Sequence, residues 1–339
     1  MKVVIAGYNT CCFNKSGGVQ VRIKKIYELL SKENNIEVEY FCPMTTDITT
    51  CDIIHIFKLE PEFYNLVRKA KSIGIKIVLS SIITTESSYK YKLYHYVLNR
   101  LPVMSTYKMI ESILQNVDAV IVETKKESQF LIDNLKIQKS KVHIIGNGID
   151  LNDYCGNEIF DKLGGRRDYV LQVGAIDRNK NQINTIRALA GTNLDLVLIG
   201  GPSDEKEGYI EKCRAEAIKY NVNVHFLGWI DNGSPLLSSA YYNASVFVCP
   251  SFHETFGFVI LEAAIAKCNI AMSSTLPILD YGIFEGCELF DPNNPIDMRK
   301  KIIKASKKNK TNSLRELTTS LFSWDAIIEK HIQLYYSLL

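Results

Sequence analysis

An α/β fold of two doubly wound parallel-sheet domains, arranged in series and facing an interdomain cleft, is predicted by this 339-residue sequence. Short β-branched runs alternate with longer helical patterns, the signature of βα units in parallel sheets. The chain is long enough for two such domains. A turn, Asn147-Gly148-Ile149-Asp150, followed by the loose stretch 151–167, divides the series into 1–150 and 151–324.

In the first half the expected strands are Lys2–Ala6, Glu37–Phe41, Ile53–Phe57, Lys76–Ser80, Ala119–Glu123 and Lys141–Ile145. In the second half they are Tyr169–Val173, Leu194–Ile199, Val224–Leu227, Val246–Cys249 and Ile270–Ser273. Helical stretches such as Val19–Ser31, Lys125–Asn134 and Asn181–Leu189 fall between them, and Ala326–Leu338 closes the chain. Leu289-Phe290-Asp291-Pro292 reads as a structural turn without chemistry. Consecutive doubly wound domains bind ligands at the carboxyl ends of their strands, so the residues that follow strands are the ones to search.

Composition narrows the classes. Hydrophobic residues make up 46% and charged residues 23%, as in an ordinary globular chain. No apolar run reaches the ~18 residues of a membrane span. The opening Met1-Lys-Val-Val-Ile-Ala-Gly7 is too short for a signal peptide and runs into a strand-then-glycine pattern. Nine cysteines without a C-x-x-C pair suit reduced cytosolic thiols better than disulfides or zinc, and Cys11 and Cys12 read as incidental. Residues 1–150 carry 20 Lys and Arg against 15 Asp and Glu, while the remainder carries 20 against 22. The basic first half suits acidic partners, but the total is too small for a nucleic-acid-binding stripe.

The most informative segment is Ser251-Phe-His-Glu254-Thr255-Phe256-Gly257-Phe-Val-Ile-Leu-Glu262. It follows the run Ala244–Pro250 and leads into an apolar helical stretch, which places Glu254 in a loop and Glu262 inside a helix. Eight helical residues span ~12 Å, too far for two carboxylates to flank one bond but suited to the two ends of an elongated ligand. The helix start between them offers free N–H groups and a positive dipole end to an anion such as pyrophosphate. On spacing alone, a first-turn acid and a solvated face would serve as well.

Two further loops carry candidate chemistry. Ser16-Gly17-Gly18-Val19-Gln20 follows the first strand and opens a helix, and paired glycines admit a ligand close to the backbone. It is not G-x-G-x-x-G, and an ordinary flexible loop would read the same way. No dinucleotide fingerprint follows any strand, which disfavours a dehydrogenase. Val173-Gly174-Ala175-Ile176-Asp177-Arg178-Asn179-Lys180-Asn181 follows the first strand of the second half and places two cations before a helix.

These three segments together resemble the family-4 retaining glycosyltransferases, the group 1 glycosyl transferases of GT-B fold. The resemblance covers nearly the whole chain and is densest in the second half. It implies that Glu254 meets the donor sugar and Glu262 the ribose of the nucleotide. Lys180 stands where the family holds the donor phosphates, with Arg178 as a substitute cation; these three, Glu254, Lys180 and Arg178, are the implied catalytic set. Gly17, Gly18, Gly174, Thr255, Phe256, Gly257 and Glu262 are the implied donor-binding residues. The loop Val224–Ile230 packs around the nucleobase in that family, and the residues here do not choose between uracil, guanine and another base. The final helix, after Phe322-Ser-Trp324-Asp, would cross back onto the first domain.

Three positions depart from the family pattern. Ala175 stands where many members carry Arg, Asn179 stands at the basic position before the lysine, and the loop Leu79–Glu86 lacks a His found in many relatives. His55 and His95 fit that position no better. The implied activity moves a sugar from a nucleoside-diphosphate sugar to a hydroxyl of a glycan or lipid-linked acceptor with retention, without a cofactor or metal, in bacterial surface-polysaccharide synthesis. The first domain would meet the acceptor and the second the donor. Cytoplasmic placement follows, and the basic, tyrosine-rich stretch Tyr89–Tyr96 suits either a peripheral membrane contact or an amphipathic helix packing Leu93, Val97 and Leu101. A sugar-nucleotide epimerase of the same fold, or a non-catalytic relative that binds nucleotide sugar, remains the alternative.

Overall fold

Six parallel strands form the first sheet: β1 (Lys2–Gly7), β2 (Glu37–Tyr40), β3 (Ile53–Phe57), β4 (Lys76–Ser80), β5 (Ala119–Val122) and β6 (Val142–Ile144). Their order is β2-β1-β3-β4-β5-β6. The structure is a computed structural model describing residues 1–7, 18–82, 104–202 and 208–339. Of the sequence features singled out above, Cys11, Cys12, Ser16, Gly17, Ile83–Glu86 and Tyr89–Tyr96 lie outside the described residues. Helices α1 (Gly18–Leu30), α2 (Tyr64–Ser72), α3 (Thr106–Asn116) and α4 (Lys125–Leu135) accompany this sheet.

The interior strands β1, β3, β4 and β5 are largely apolar on both faces because helices cover both. In β3, Ile54 and Ile56 join one core with Val67 of α2 and Ile113 of α3. Ile53 and Phe57 point the other way, into a core with Ile23 and Ile26 of α1. Helices α3 and α4 start on hydroxyl caps: Ser105 Oγ accepts from Lys108 N–H at 3.3 Å, and Thr124 Oγ1 accepts from Glu127 N–H at 3.1 Å. Each cap satisfies an N–H that the helix itself leaves unpaired.

The second sheet contains β7 (Tyr169–Val173), β8 (Asp195–Ile199), β9 (Val224–Phe226), β10 (Val246–Cys249), β11 (Ile270–Ser273) and β12 (Glu288–Phe290). All pair in parallel, in the order β12-β11-β10-β7-β8-β9. Its helices are α5 (Glu158–Lys162), α6 (Gln182–Leu189), α7 (Tyr209–Tyr220), α8 (Pro235–Asn243), α9 (Phe258–Ile265), α10 (Pro295–Ser306) and α11 (Ser313–Phe322), and α12 (Trp324–Leu338) ends the chain. The eleven strands expected from sequence all form, with ends moved by at most one residue. The twelfth, β12, was read as a turn. It has only three residues, begins with Glu288 and runs straight into Asp291-Pro292, so local pattern favours the turn that follows it. Helix α5 likewise interrupts the stretch read as loose, a single turn too short to show periodicity.

The chain divides into two units, Met1–Gly148 with Trp324–Leu339, and Ile149–Ser323. Helix α12 therefore belongs to the first unit, where Ile327, Ile328, Leu334 and Tyr335 enter the core with Val3 and Ile5. Its start is fixed by Trp324 lying on Gly148: a Cβ there would meet the indole Cδ2 at 2.2 Å. Beneath the helix, His55 bridges Tyr335 OH at 2.6 Å and Ser80 Oγ at 2.9 Å. Burial holds both His55 and His331 in their neutral forms, the latter with its pKa lowered to about 3.

Candidate active site

Strand order in the second unit reverses between β7 and β10. β8 and β9 extend from one side of β7, and β10 to β12 from the other. Loops that leave adjacent strands at such a switch point diverge to opposite faces and leave a crevice at their carboxyl ends. The loop after β7 carries Gly174, Arg178 and Lys180, and the loop after β10 carries Glu254 to Gly257. Residues 74 apart in sequence thus meet because β7 and β10 pair directly.

At their meeting point Lys180 Nζ donates to Glu254 Oε1 at 2.5 Å. Ser251 Oγ donates to the same oxygen at 2.7 Å. Both ionic groups are largely but incompletely shielded, the side chains of Lys180 and Glu254 being 21% and 11% exposed. Among the described residues, Glu254 Oε2 receives no hydrogen bond, so one carboxylate oxygen is held and the other is open. Beneath the pair, the Cys249 thiol lies 3.7 Å from Ser251 Oγ, and burial pushes it up to about 12, which keeps it protonated.

The β7 loop is shaped by polar side chains on every side. Asp177 Oδ1 accepts from Lys180 N–H at 2.9 Å, and Gln172 Nε2 donates to Lys180 O at 2.7 Å. Asn181, in the left-handed region at φ 58°, donates to Pro250 O at 3.2 Å and Pro292 O at 2.8 Å. Gly174 sits at φ 143° and donates its N–H to Ile199 O at 2.9 Å. The next loop packs directly against it: a Cβ on Gly200, itself at φ 144°, would lie 2.0 Å from Gly174 O. Arg178 is exposed on this loop, and its carbonyl closes the turn by accepting from Asn181 N–H at 3.2 Å.

Helix α9 begins at Gly257, whose φ of 103° suits glycine, and no side chain caps its first turn. Those N–H groups and the dipole end are available to an anion. Thr255 is exposed beside them. The Phe256 ring is not: it is fully buried, edge-on to Phe258, Tyr281 and Phe322, and so anchors the loop to the core. Within α9, Glu262 Oε2 accepts from Tyr241 OH at 2.7 Å. Burial pushes the Glu262 carboxyl upward, and the Tyr241 bond works against that shift. At the end of β9 the loop carries Trp229, 77% exposed, its indole N–H 3.3 Å from Asp231 Oδ1.

Of the predicted residues, Lys180, Glu254, Thr255, Gly257 and Gly174 thus gather at one switch point, and Glu262 projects from the helix that starts there. Gly18 opens α1 of the other unit. Sequence reasoning missed Ser251 and Tyr241 as partners of the two glutamates, and Asn179 as a partner of the His253 main chain. Ser251 shows a local signal, a hydroxyl three residues before a glutamate. Tyr241 shows none, since it reaches Glu262 from α8 across the core.

The two doubly wound parallel sheets are those of the GT-B fold, and the second carries a cation, a carboxylate and an uncapped helix start at its switch point. The pattern of the Glycosyl transferases group 1 family matches residues 157–318, and that of Glycosyltransferase Family 4 matches residues 47–153. Both halves of the chain thus match glycosyltransferase families, the second half the group 1 family. It is 23% identical over 65% of its length, and 56% of the relative's, to the N-acetylgalactosamine-N,N'-diacetylbacillosaminyl-diphospho-undecaprenol 4-alpha-N-acetylgalactosaminyltransferase of Campylobacter jejuni. It is 24% identical to the processive diacylglycerol alpha-glucosyltransferase of Acholeplasma laidlawii, over 61% of this chain and 63% of that one. The chain therefore spans about three fifths of these curated relatives. Among solved structures, Anabaena HepE in complex with UDP superposes with a TM-score of 0.75 at 14% identity, covering 99% of this chain and 100% of that one. The lipopolysaccharide outer core galactosyltransferase WaaB superposes at 0.72 with 16% identity and full coverage of both. These likenesses establish the fold.

Proposed function

We propose that the protein is a retaining glycosyltransferase that moves a sugar from a nucleoside-diphosphate sugar to a hydroxyl of a glycan or lipid-linked acceptor. The observation that carries the reading is the Lys180–Glu254 pair beside the uncapped start of α9. A departing diphosphate needs fixed positive charge, and a sugar needs a carboxylate that accepts hydroxyl bonds. Both are present within one ion pair.

Lys180 and the N–H groups after Gly257 stabilise the growing charge on the diphosphate, with Arg178 in support. Glu254 takes a sugar hydroxyl on Oε2 while Lys180 and Ser251 hold Oε1 in place. Glu262, steadied by Tyr241, takes the ribose hydroxyls. Trp229 at the end of β9 offers a face to the base. The anomeric C–O bond to the diphosphate breaks, a new bond to the acceptor oxygen forms on the same face, and the acceptor proton passes to the leaving phosphate oxygen. These fixed charges do the work of a bound metal, so none is expected. We assign the donor to the second unit and the acceptor to the basic first unit.

UDP in the Anabaena neighbour, and the polyprenyl- and lipid-linked names of the relatives, support a UDP-sugar donor and a lipid-linked acceptor. Bacterial surface-polysaccharide synthesis at the cytoplasmic membrane face fits that chemistry. No described helix is long and apolar enough to cross a membrane. The test is product analysis by NMR after incubation with UDP-sugars and lipid-linked acceptors. An α-linked product from an α-linked donor supports the reading, and a β-linked product refutes retention. Epimerised nucleotide sugar without transfer would favour the epimerase alternative.

A further inference from the structure

We propose that Asn179 is a positioning residue that sets Glu254 against Lys180 by clasping the main chain of the neighbouring loop. The inference rests on the transferase reading above for its kinetic consequence, and on geometry alone for the clasp itself.

Three hydrogen bonds leave residue 179 for the two residues immediately before Glu254. The side-chain Nδ2 donates to His253 O at 2.9 Å, and Oδ1 accepts from His253 N–H at 3.0 Å. The main-chain carbonyl accepts from Phe252 N–H at 2.9 Å. An amide is the side chain that meets a peptide group this way, one donor and one acceptor side by side. A basic residue has no acceptor for the His253 N–H, and a carboxylate would turn a second oxygen toward the His253 carbonyl. The departure of Asn179 from a basic residue is thus explained by its contacts. It trades a charge for a two-pronged grip on the β10 loop.

The grip acts on the ion pair because of where it falls. Lys180 is the next residue on one side, and Glu254 is the next residue on the other. With positions 179 and 252–253 locked, the two side chains start from a common base and meet at 2.5 Å. Asn181 repeats the lacing one step further on, holding Pro250 O. Side-chain freedom at Glu254 is reduced before any ligand arrives, which is what a site built for a developing charge requires.

The experiment compares wild type, Asn179→Ala, Asn179→Asp, Glu254→Gln and the Asn179→Ala/Glu254→Gln double variant in the full chain. Four readouts are taken: kcat, donor KM, nucleoside-diphosphate Kd by calorimetry, and amide hydrogen exchange at Phe252 and His253. Asn179→Ala should lower kcat by roughly 10–100-fold, since displacement of a catalytic group by ~1 Å can cost two orders of magnitude. Nucleoside-diphosphate affinity should change by less than ~3-fold, because the Lys180 main chain stays held by Asp177 and Gln172 while Glu254 loses its register. Exchange at His253 should quicken in both single Asn179 variants. The double variant should be no slower than Glu254→Gln alone, because the clasp acts through Glu254. A kcat within about twofold of wild type, multiplied losses in the double variant, or unchanged protection of the His253 amide would overturn the proposal. If wild type transfers no sugar, the transferase reading fails, and His253 exchange in Asn179→Ala still decides whether the clasp exists.

Discussion

Replacing Lys180 with methionine removes the ammonium while keeping the stem that passes over Gly174, where a Cβ would contact Cε at 3.6 Å. Two losses follow, and they separate by magnitude. In the resting protein, Glu254 keeps Ser251 as a donor but loses its counter-charge in a site where it is 11% exposed. Exposed pairs contribute about 0–1 kcal/mol, and breaking a buried one costs about 3–5, so this pair should fall near 2 kcal/mol. For a unit of this size that lowers its melting midpoint by roughly 4–8 °C. On the proposed mechanism, the departing diphosphate also loses a cation in the transition state. Removing one preorganised group of this kind costs ~100–1000-fold in kcat, or about 2.7–4 kcal/mol. Steady-state transfer kinetics and calorimetric melting read the two separately. Adding Glu254→Gln should restore much of the midpoint, because no unpaired charge remains, but none of the rate. A Lys180→Met enzyme within about threefold of wild-type kcat would refute the assignment of Lys180 to the leaving group.

Three other outcomes are expected. Burial works to raise the Glu288 pKa, but bonds from Lys308 at 2.6 Å and Lys304 at 3.0 Å outweigh it and hold the carboxyl down at about 2. A depressed folded pKa means stability present above the unfolded value near 4.5 and lost as pH falls toward about 2. Glu288→Gln should therefore cost about 1–2 kcal/mol at neutral pH, after screening of the partly exposed lysines, and little at pH ~2, as read by melting across pH. Gly148→Ala drives a methyl into the Trp324 ring and should destabilise the first unit by roughly 2–3 kcal/mol, measured by denaturant unfolding. Chelation with excess EDTA should leave the transfer rate unchanged, and a loss restored by one divalent ion would show that metal supplies the charge assigned to Lys180.

Much of the fold was legible because parallel strands buried on both faces are continuous apolar runs, as in Ala119–Val122 and Val246–Cys249. What escaped was short and locally contradictory, such as β12, three residues that begin with a carboxylate and end in a turn. In the site, Glu254, Lys180 and Gly257 could be found because each sits at a loop position whose neighbours announce it. Their partners could not. Asn179 looked like a lost cation until its amide was seen on the His253 main chain, and Tyr241 reaches Glu262 from a helix 21 residues away. Phe256 shows the converse: its place in the motif suggested the ligand, but its ring faces the core. Sequence spacing locates residues that share one loop or one helix start. Those that act on one another across paired strands emerge when the strand order is known.

On the proposed function, the second unit holds a nucleoside-diphosphate sugar through Lys180, Glu254, Glu262 and the start of α9. The most direct measurement is calorimetric titration of UDP, GDP and ADP, each with its sugars, into wild type and Glu262→Ala. One base series should bind wild type and raise its melting midpoint, with about 2.7 kcal/mol of added stability at a hundredfold excess over Kd. Glu262→Ala should lose that binding while folding normally. No binding by any nucleotide at millimolar concentration, or equal binding by Glu262→Ala, would contradict it.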